Sequence, residues 1–202
     1  MADLTYSLPT LPYDPDEVKD VLSKQVVEWH HDKHHAGYVK KANEIEDALP
    51  DADTEASNAN YSQYGELKRR QSFNLSGIIL HNIYWANMGG DGKADMTLPV
   101  VNKITEDFGS MKNWVQDFKA TAMASLGWAI LAGNPITGRL ENYLCDLHHD
   151  GAVWGAVPLI ALDVFEHAYY KDYGPDRGSY VDAYIGNLNW KEVNKLYGKN
   201  AF

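Results

Sequence analysis

The stretch VPLIALDVFEH, residues 157–167, decides how the chain folds. From Val157 to Val164 it is a short, nearly continuous apolar run, the pattern of a central buried strand. The aromatic-rich segment Glu166–Tyr173 reads as helix, so a buried strand hands over to a helix within a few residues. Asp163 interrupts the run where the core should be dry. A buried, unpaired carboxylate is costly and demands a cation or strong donors. Glu166 and His167 add polar groups at the same place. Imidazole and carboxylate together suit manganese, iron or zinc better than calcium. A buried Asp–His pair without metal is the alternative from this segment alone.

Working towards the N-terminus, Trp128–Leu131 reads as a strand that ends at the turn cluster Asn134-Pro135-Ile136-Thr137-Gly138. Arg139–Leu147 is the return strand. Before these, Thr97–Phe108 and Ser110–Ser125 read as helices, with Gly109 and Ser110 as stop and start signals. Gly89-Gly90-Asp91-Gly92 is the clearest linker. Upstream of it, a helix runs from about Ser62 to Met88, interrupted around Asn74–Gly77. Residues 50–61 form a polar, acidic loop. A long helix from Lys24 to Leu49 follows Ser23 as N-cap. Asp14-Pro15-Asp16-Glu17 fits an N-cap, a proline at N1 and a carboxylate at N3. Beyond the central stretch, helices are expected near Arg177–Asn187 and Trp190–Tyr197. The expected class is α+β: an N-terminal antiparallel helical hairpin, residues 1–92, then an α/β domain, residues 93–202, with a small three-stranded antiparallel sheet.

The net charge of −10 argues against nucleic acid and anionic membrane surfaces as partners. No run of ~18 apolar residues suggests a membrane span. The one cysteine, Cys145, excludes an intramolecular disulfide. The opening MADLTYSLPT lacks a basic and apolar leader pattern, and a cytoplasmic protein is the expectation.

Histidines carry the chemistry. His30, His31, His34 and His35 sit on the first long helix, His81 on the second, and His148 and His149 after a strand. Four helical residues advance ~400°, so Val26, His30, His34 and Tyr38 form one stripe. Spacing alone nominates His30 with His34 as a metal pair, against the plainer reading of a solvated or hydrogen-bonded cluster. His81, with Tyr84 and Trp85 nearby, reads by itself as a satisfied core histidine.

The segments LPTLPYDPDEV, WHHDKHHAGYV, FNLSGIILHNIYW, FGSMKNWVQDF, LGWAIL, DVFEHAYYKDYG and LNWKEV, in this order, closely resemble the iron/manganese superoxide dismutases over nearly the whole chain. The resemblance implies a superoxide dismutase that cycles one manganese or iron ion between trivalent and divalent states, with His30, His81, Asp163 and His167 as ligands. His34 is then an entrance residue, close to Tyr38 and to Tyr170 of a second subunit. Glu166 matches a glutamate that reaches across the dimer to the partner's metal-bound histidine. Arg177 matches a pocket arginine, and Trp128, Tyr84 and Trp85 match pocket aromatics. Phe165 stands where the family has tryptophan. Gly77 stands at one of the two positions that carry a glutamine bonded to the metal-bound solvent. His148 aligns with the other, with His149 as the alternative.

That layout favours manganese over iron. It also implies a homodimer, with a tetramer left open, and superoxide and protons as substrates. Attraction of the anion must be local, and Lys33 and Arg177 are the candidate cations. A di-iron carboxylate protein would need two Glu-x-x-His motifs, and only Glu28-Trp29-His30-His31 fits. A mononuclear iron oxygenase would need two histidines and one carboxylate on a β-rich scaffold, which is absent. A scaffold that kept the fold and lost turnover is the non-enzymatic alternative.

Overall fold

A computed structural model describes residues 6–151 and 153–199. The chain enters through a 3₁₀ turn, Pro15–Val18, capped as its sequence predicts. The Asp14 carboxylate accepts the Asp16 N–H and the Glu17 carboxylate accepts the Asp14 N–H, both at 3.0 Å.

The continuous helix expected from Lys24 to Leu49 is instead a composite. It comprises α1 (Lys24–Trp29), a π-helical turn (His30–His35), α2 (Ala36–Ala48) and a 3₁₀ turn (Leu49–Asp51). A π turn bonds i to i+5 and so holds one more residue than an α turn. Within its six residues, His30, His31 and His35 are buried while Asp32, Lys33 and His34 face outwards. Ser23 caps α1 as expected, and its N–H and hydroxyl both donate to Asp172, at 2.6 and 2.8 Å.

The helix α3 (Gln63–Asn87) runs unbroken through Asn74–Gly77, where an interruption was expected. Asn74 turns its amide back onto the Arg70 carbonyl at 2.7 Å, so it satisfies itself without breaking the helix. Gly77 stays helical because neighbouring rings cover it. A Cβ there would lie 3.2 Å from both the His148 and Tyr38 rings.

Next come α4 (Pro99–Phe108) and α5 (Met111–Ala124). Gly109, with φ +79°, ends α4, and the Ser110 hydroxyl accepts the Asn113 N–H to start α5, as the sequence predicts. The strands β1 (Trp128–Gly133), β2 (Leu140–Cys145) and β3 (Val157–Asp163) form one antiparallel sheet in the order β2-β1-β3. The architecture is α+β, with a helical hairpin leading into a three-stranded antiparallel sheet and its flanking helices.

The central strand is therefore β1, all six residues of which are buried, and not β3 as its apolar run suggested. Side chains cover the free edge of β3. Asn87, at the end of α3, donates to the Leu159 carbonyl at 3.1 Å and accepts the Ala161 N–H at 3.0 Å. Tyr184 donates to the Ala161 carbonyl and Tyr180 to the Asp163 carbonyl, at 3.0 and 2.9 Å. An edge strand whose ladder groups are satisfied this way can be as apolar as a central one.

The helices α6 (Glu166–Tyr173), α7 (Arg177–Ile185) and α8 (Trp190–Lys199) complete the fold. One large core joins the sheet to α3, α4, α5, α7 and α8. The C-terminal end of β3 delivers Asp163 opposite Trp128 of β1, with α6 starting just beyond. Among the described residues, no helix is long and apolar enough to cross a membrane.

Candidate metal centre

Each side chain of the cluster comes from a different element: His30 from the π turn, His81 from α3, Asp163 from the end of β3 and His167 from α6. One potential ligand atom from each lies within 4.8 Å of all the others. His30, His81 and Asp163 are buried, and the His167 side chain is 23% exposed.

His81 donates its Nδ1–H to the Gly77 carbonyl at 2.7 Å, so its Nε2 presents a lone pair. That lone pair faces His30 Nε2 at 3.0 Å and Asp163 Oδ2 at 3.6 Å. Asp163 Oδ2 also lies 3.2 Å from His30 Nε2 and 3.5 Å from His167 Nε2. The other oxygen, Oδ1, accepts the Phe165 N–H at 2.9 Å, which fixes the carboxylate's orientation. Both Asp163 Oδ2 and His167 Nε2 are buried without a hydrogen-bond partner. Three imidazoles and a carboxylate oxygen converging on one point, with these bonds unmade, could hold a manganese- or iron-type ion. A simple Asp–His pair would leave the other two imidazole nitrogens unexplained.

Electrostatics agree with that reading. Burial lowers both His30 and His81, keeping these imidazoles neutral. Burial alone would raise Asp163, but His167 and His30 beside it hold the carboxyl well below its ordinary range. For His167 burial opposes charging, and Asp163 outweighs it, so the net direction is up.

Aromatic rings wall the cluster. Trp85 and Tyr84 lie 5.0 and 5.3 Å from the His30 ring, and Trp128 lies 5.0 Å from that of His81. Phe165 lies parallel to His167 at 5.6 Å, so it serves as an apolar wall. His34, nominated as a ligand by spacing alone, is outside the cluster and stacks on His167 at 4.1 Å. Tyr38 lies instead against His148 and His81, at 4.6 and 5.2 Å. His34 and Tyr38 share a helical stripe, yet they flank different sides of the cluster.

Of the two adjacent histidines, His148 is buried and His149 exposed. His148 Nδ1 accepts the Trp128 indole N–H at 2.9 Å, so the neutral ring carries its proton on Nε2. Burial, the largest influence, pushes His148 down to about 4, so it is neutral near pH 7. Gly77 makes room for this ring.

A surface depression of about 430 Å³ reaches His167, lined by Val26, Trp29, His34, Glu166, Tyr170 and Lys171. Glu166 and Tyr170 are exposed there. Arg177 is not part of it: it donates to the Tyr169 hydroxyl at 3.1 Å and to the Ser125 carbonyl at 2.8 Å, joining α6 and α7 to the end of α5. Lys33 does not line the depression either, and the cation that does is Lys171, which sequence reasoning passed over. Its position four residues after His167 on one helix face was the available signal. The Gly77 carbonyl that orients His81 was also unforeseen, since main-chain acceptors leave no mark in residue types.

A cluster of three histidines and one aspartate that could hold one metal ion, set between a helical hairpin and a small antiparallel sheet, defines the class of protein. The family described as "Iron/manganese superoxide dismutases, alpha-hairpin domain" matches residues 5–89, and its C-terminal domain counterpart matches residues 96–196. The chain belongs to the iron/manganese superoxide dismutases. It is 42% identical over 196 residues, 97% of this chain and 96% of the relative, to "Superoxide dismutase [Mn] 1" of Halobacterium salinarum. It is 40% identical over 181 residues, 88% of this chain and 85% of the relative, to "Superoxide dismutase [Fe]" of Aquifex pyrophilus.

Proposed function

We propose that this chain disproportionates superoxide to dioxygen and hydrogen peroxide, with one manganese or iron ion on His30, His81, Asp163 and His167. The observation that carries this reading is the convergence of four ligand atoms within 4.8 Å, two of them buried without a hydrogen-bond partner, in a chain of this family. Manganese is the preferred ion, in line with the manganese named in the Halobacterium relative.

When bound, the ion supplies the one-electron exchange with superoxide. The chain's residues orient, insulate and supply protons. Asp163 gives the one negative charge among the ligands. Gly77 fixes the tautomer of His81 through its carbonyl, and such outer bonds tune a metal site. Burial, followed by the charge of Asp163, pushes Tyr38 up to about 12, so its hydroxyl keeps its proton as a donor. Partial desolvation, with His167 and His30 close by, pushes His34 down to about 4, leaving a neutral ring at the mouth. Arg177 acts as a positioning residue that braces α6 through Tyr169. Trp29 and Tyr170, each 50% exposed beside Glu166, support a homodimer formed at the rim of this mouth, which stays open to superoxide.

The direct test is to strip the metal, reload with manganese or iron alone, and assay dismutation. Activity is expected with manganese in excess of iron, and none in the stripped protein; no activity with either ion refutes the function.

Two variants test the surroundings. His148→Ala removes a buried proton donor held at Nε2 and is expected to shift the metal's midpoint potential and lower turnover. If neither moves, His148 does not tune the site. Lys171→Glu reverses the charge at the mouth and is expected to lower kcat/KM several-fold at ~0.01 M salt. The deficit should shrink by ~0.15 M, as the Debye length falls from about 30 to about 8 Å. A deficit independent of salt would argue against steering by Lys171.

A further inference from the structure

A second pocket, of about 130 Å³, lies between α3, β1, β2, Val153, Ala156 and the start of β3 at Pro158. Leu80, Ile130, Ala132 and Cys145 form its apolar floor. Ile79 and Val153, 52% and 37% exposed, form its rim. Tyr143 also faces it, but its hydroxyl is committed to Glu141 at 3.0 Å. Ser76 and His148 are the remaining polar groups on its lining. A largely apolar lining of this kind can take up xenon or small apolar molecules.

His148 belongs to both places. It lines this pocket, and its ring also lies 5.8 Å from that of the candidate ligand His81. One imidazole, hydrogen-bonded by Trp128 and packed against Tyr38 and Phe73, thus stands between the candidate metal site and an apolar pocket. The depression at the mouth, which carries the charged Glu166 and Lys171, is lined by different residues altogether.

We propose that this pocket receives dioxygen, the apolar product of dismutation, by a path past His148 that is separate from the entrance bearing Lys171. The inference rests on the superoxide dismutase reading above. Superoxide is an anion and suits the mouth that holds Lys171. Dioxygen carries no charge and favours apolar surroundings. Two routes sorted by charge keep the outgoing product of one half-reaction from obstructing the superoxide arriving for the next. No bond is made or broken in the passage.

Crystals of the metal-loaded protein under xenon pressure provide the test. Xenon is expected in contact with Leu80, Ile130 and Cys145. Ile79→Trp closes the rim from an exposed helix face, and Ala132→Leu fills the floor from β1. Each is expected to exclude xenon and to lower kcat several-fold at saturating superoxide. Metal content and kcat/KM, which the entrance governs, should stay unchanged. Should Ala132→Leu fail to fold, the surface variant Ile79→Trp still decides the matter. Absence of xenon from the pocket overturns the proposal, and so does exclusion of xenon with kcat unchanged. A protein that takes up xenon yet dismutes no superoxide with either ion overturns the functional reading instead.

Discussion

Asp163→Asn is expected to lose its metal and, with it, more than 99% of dismutase activity. The two side chains are nearly the same size, so the change tests charge and little else. Asp163 is fully buried, and its Oδ2 lies within 3.6 Å of three imidazole nitrogens. With asparagine the centre holds three neutral imidazoles and a neutral amide, and an ion bound there keeps its whole charge in a dry pocket. Removing one partner from a buried charge interaction costs about 3–5 kcal/mol, or roughly two to three and a half powers of ten in metal affinity. Elemental analysis after dialysis at low free metal reads this directly. Thermal unfolding gives an independent reading, since an ion that binds only the native state raises the midpoint. The parent protein is expected to unfold at lower temperature with a chelator than without. In Asp163→Asn the two midpoints should coincide. A variant that keeps about one ion per chain would remove Asp163 from the ligand set.

The elements were legible in the sequence wherever local chemistry decides. Asp14, Ser23 and Ser110 mark starts through hydrogen bonds made within a few residues, Gly109 marks a stop through its left-handed φ, and all four act in place. What escaped depended on partners distant in the chain. The apolar run 157–164 reads like a central strand because its free edge is closed by Asn87, Tyr180 and Tyr184, the nearest of which in sequence is more than fifteen residues away. The π turn at His30–His35 has no signature in residue type: the same six residues would satisfy an α-helix.

The site follows the same division. The strand-to-helix stretch around Asp163 exposed a buried carboxylate in want of a cation. Spacing then paired His30 with His34, which the structure sets against His167 outside the cluster. His81 lies 51 residues from His30 on another helix, and only family resemblance brought it into the set. The choice of His148 over His149 became physical only with burial and the indole hydrogen bond in view. Lys171 was hidden because a lysine on an aromatic helix shows no function until the mouth beside it is seen.

Asn87→Ala is expected to cost more stability than any other single polar-to-alanine change in the sheet. Asn87 is fully buried, and its amide replaces the missing neighbour strand of β3. Alanine leaves the Leu159 carbonyl and the Ala161 N–H without their partner in a dry environment, and each orphaned group costs about 1–3 kcal/mol. Tyr184 keeps its bond to the Ala161 carbonyl at 3.0 Å, so the edge is not wholly lost. The sum, about 2–6 kcal/mol before any cavity term, is a large part of the ~5–15 kcal/mol that holds a domain folded. Denaturant unfolding of the stripped protein should show the midpoint falling with little change in slope. Asn87→Asp should cost at least as much at neutral pH: its buried carboxylate accepts the Ala161 N–H but has no cation beside it and repels the Leu159 carbonyl. A loss below ~1 kcal/mol in Asn87→Ala would mean that water takes over the edge, and the clamp would not be what holds β3. A loss of the expected size has a functional sequel. Asp163 sits at the end of β3, two residues beyond Ala161, so metal should leave Asn87→Ala faster than the parent protein even where both remain folded.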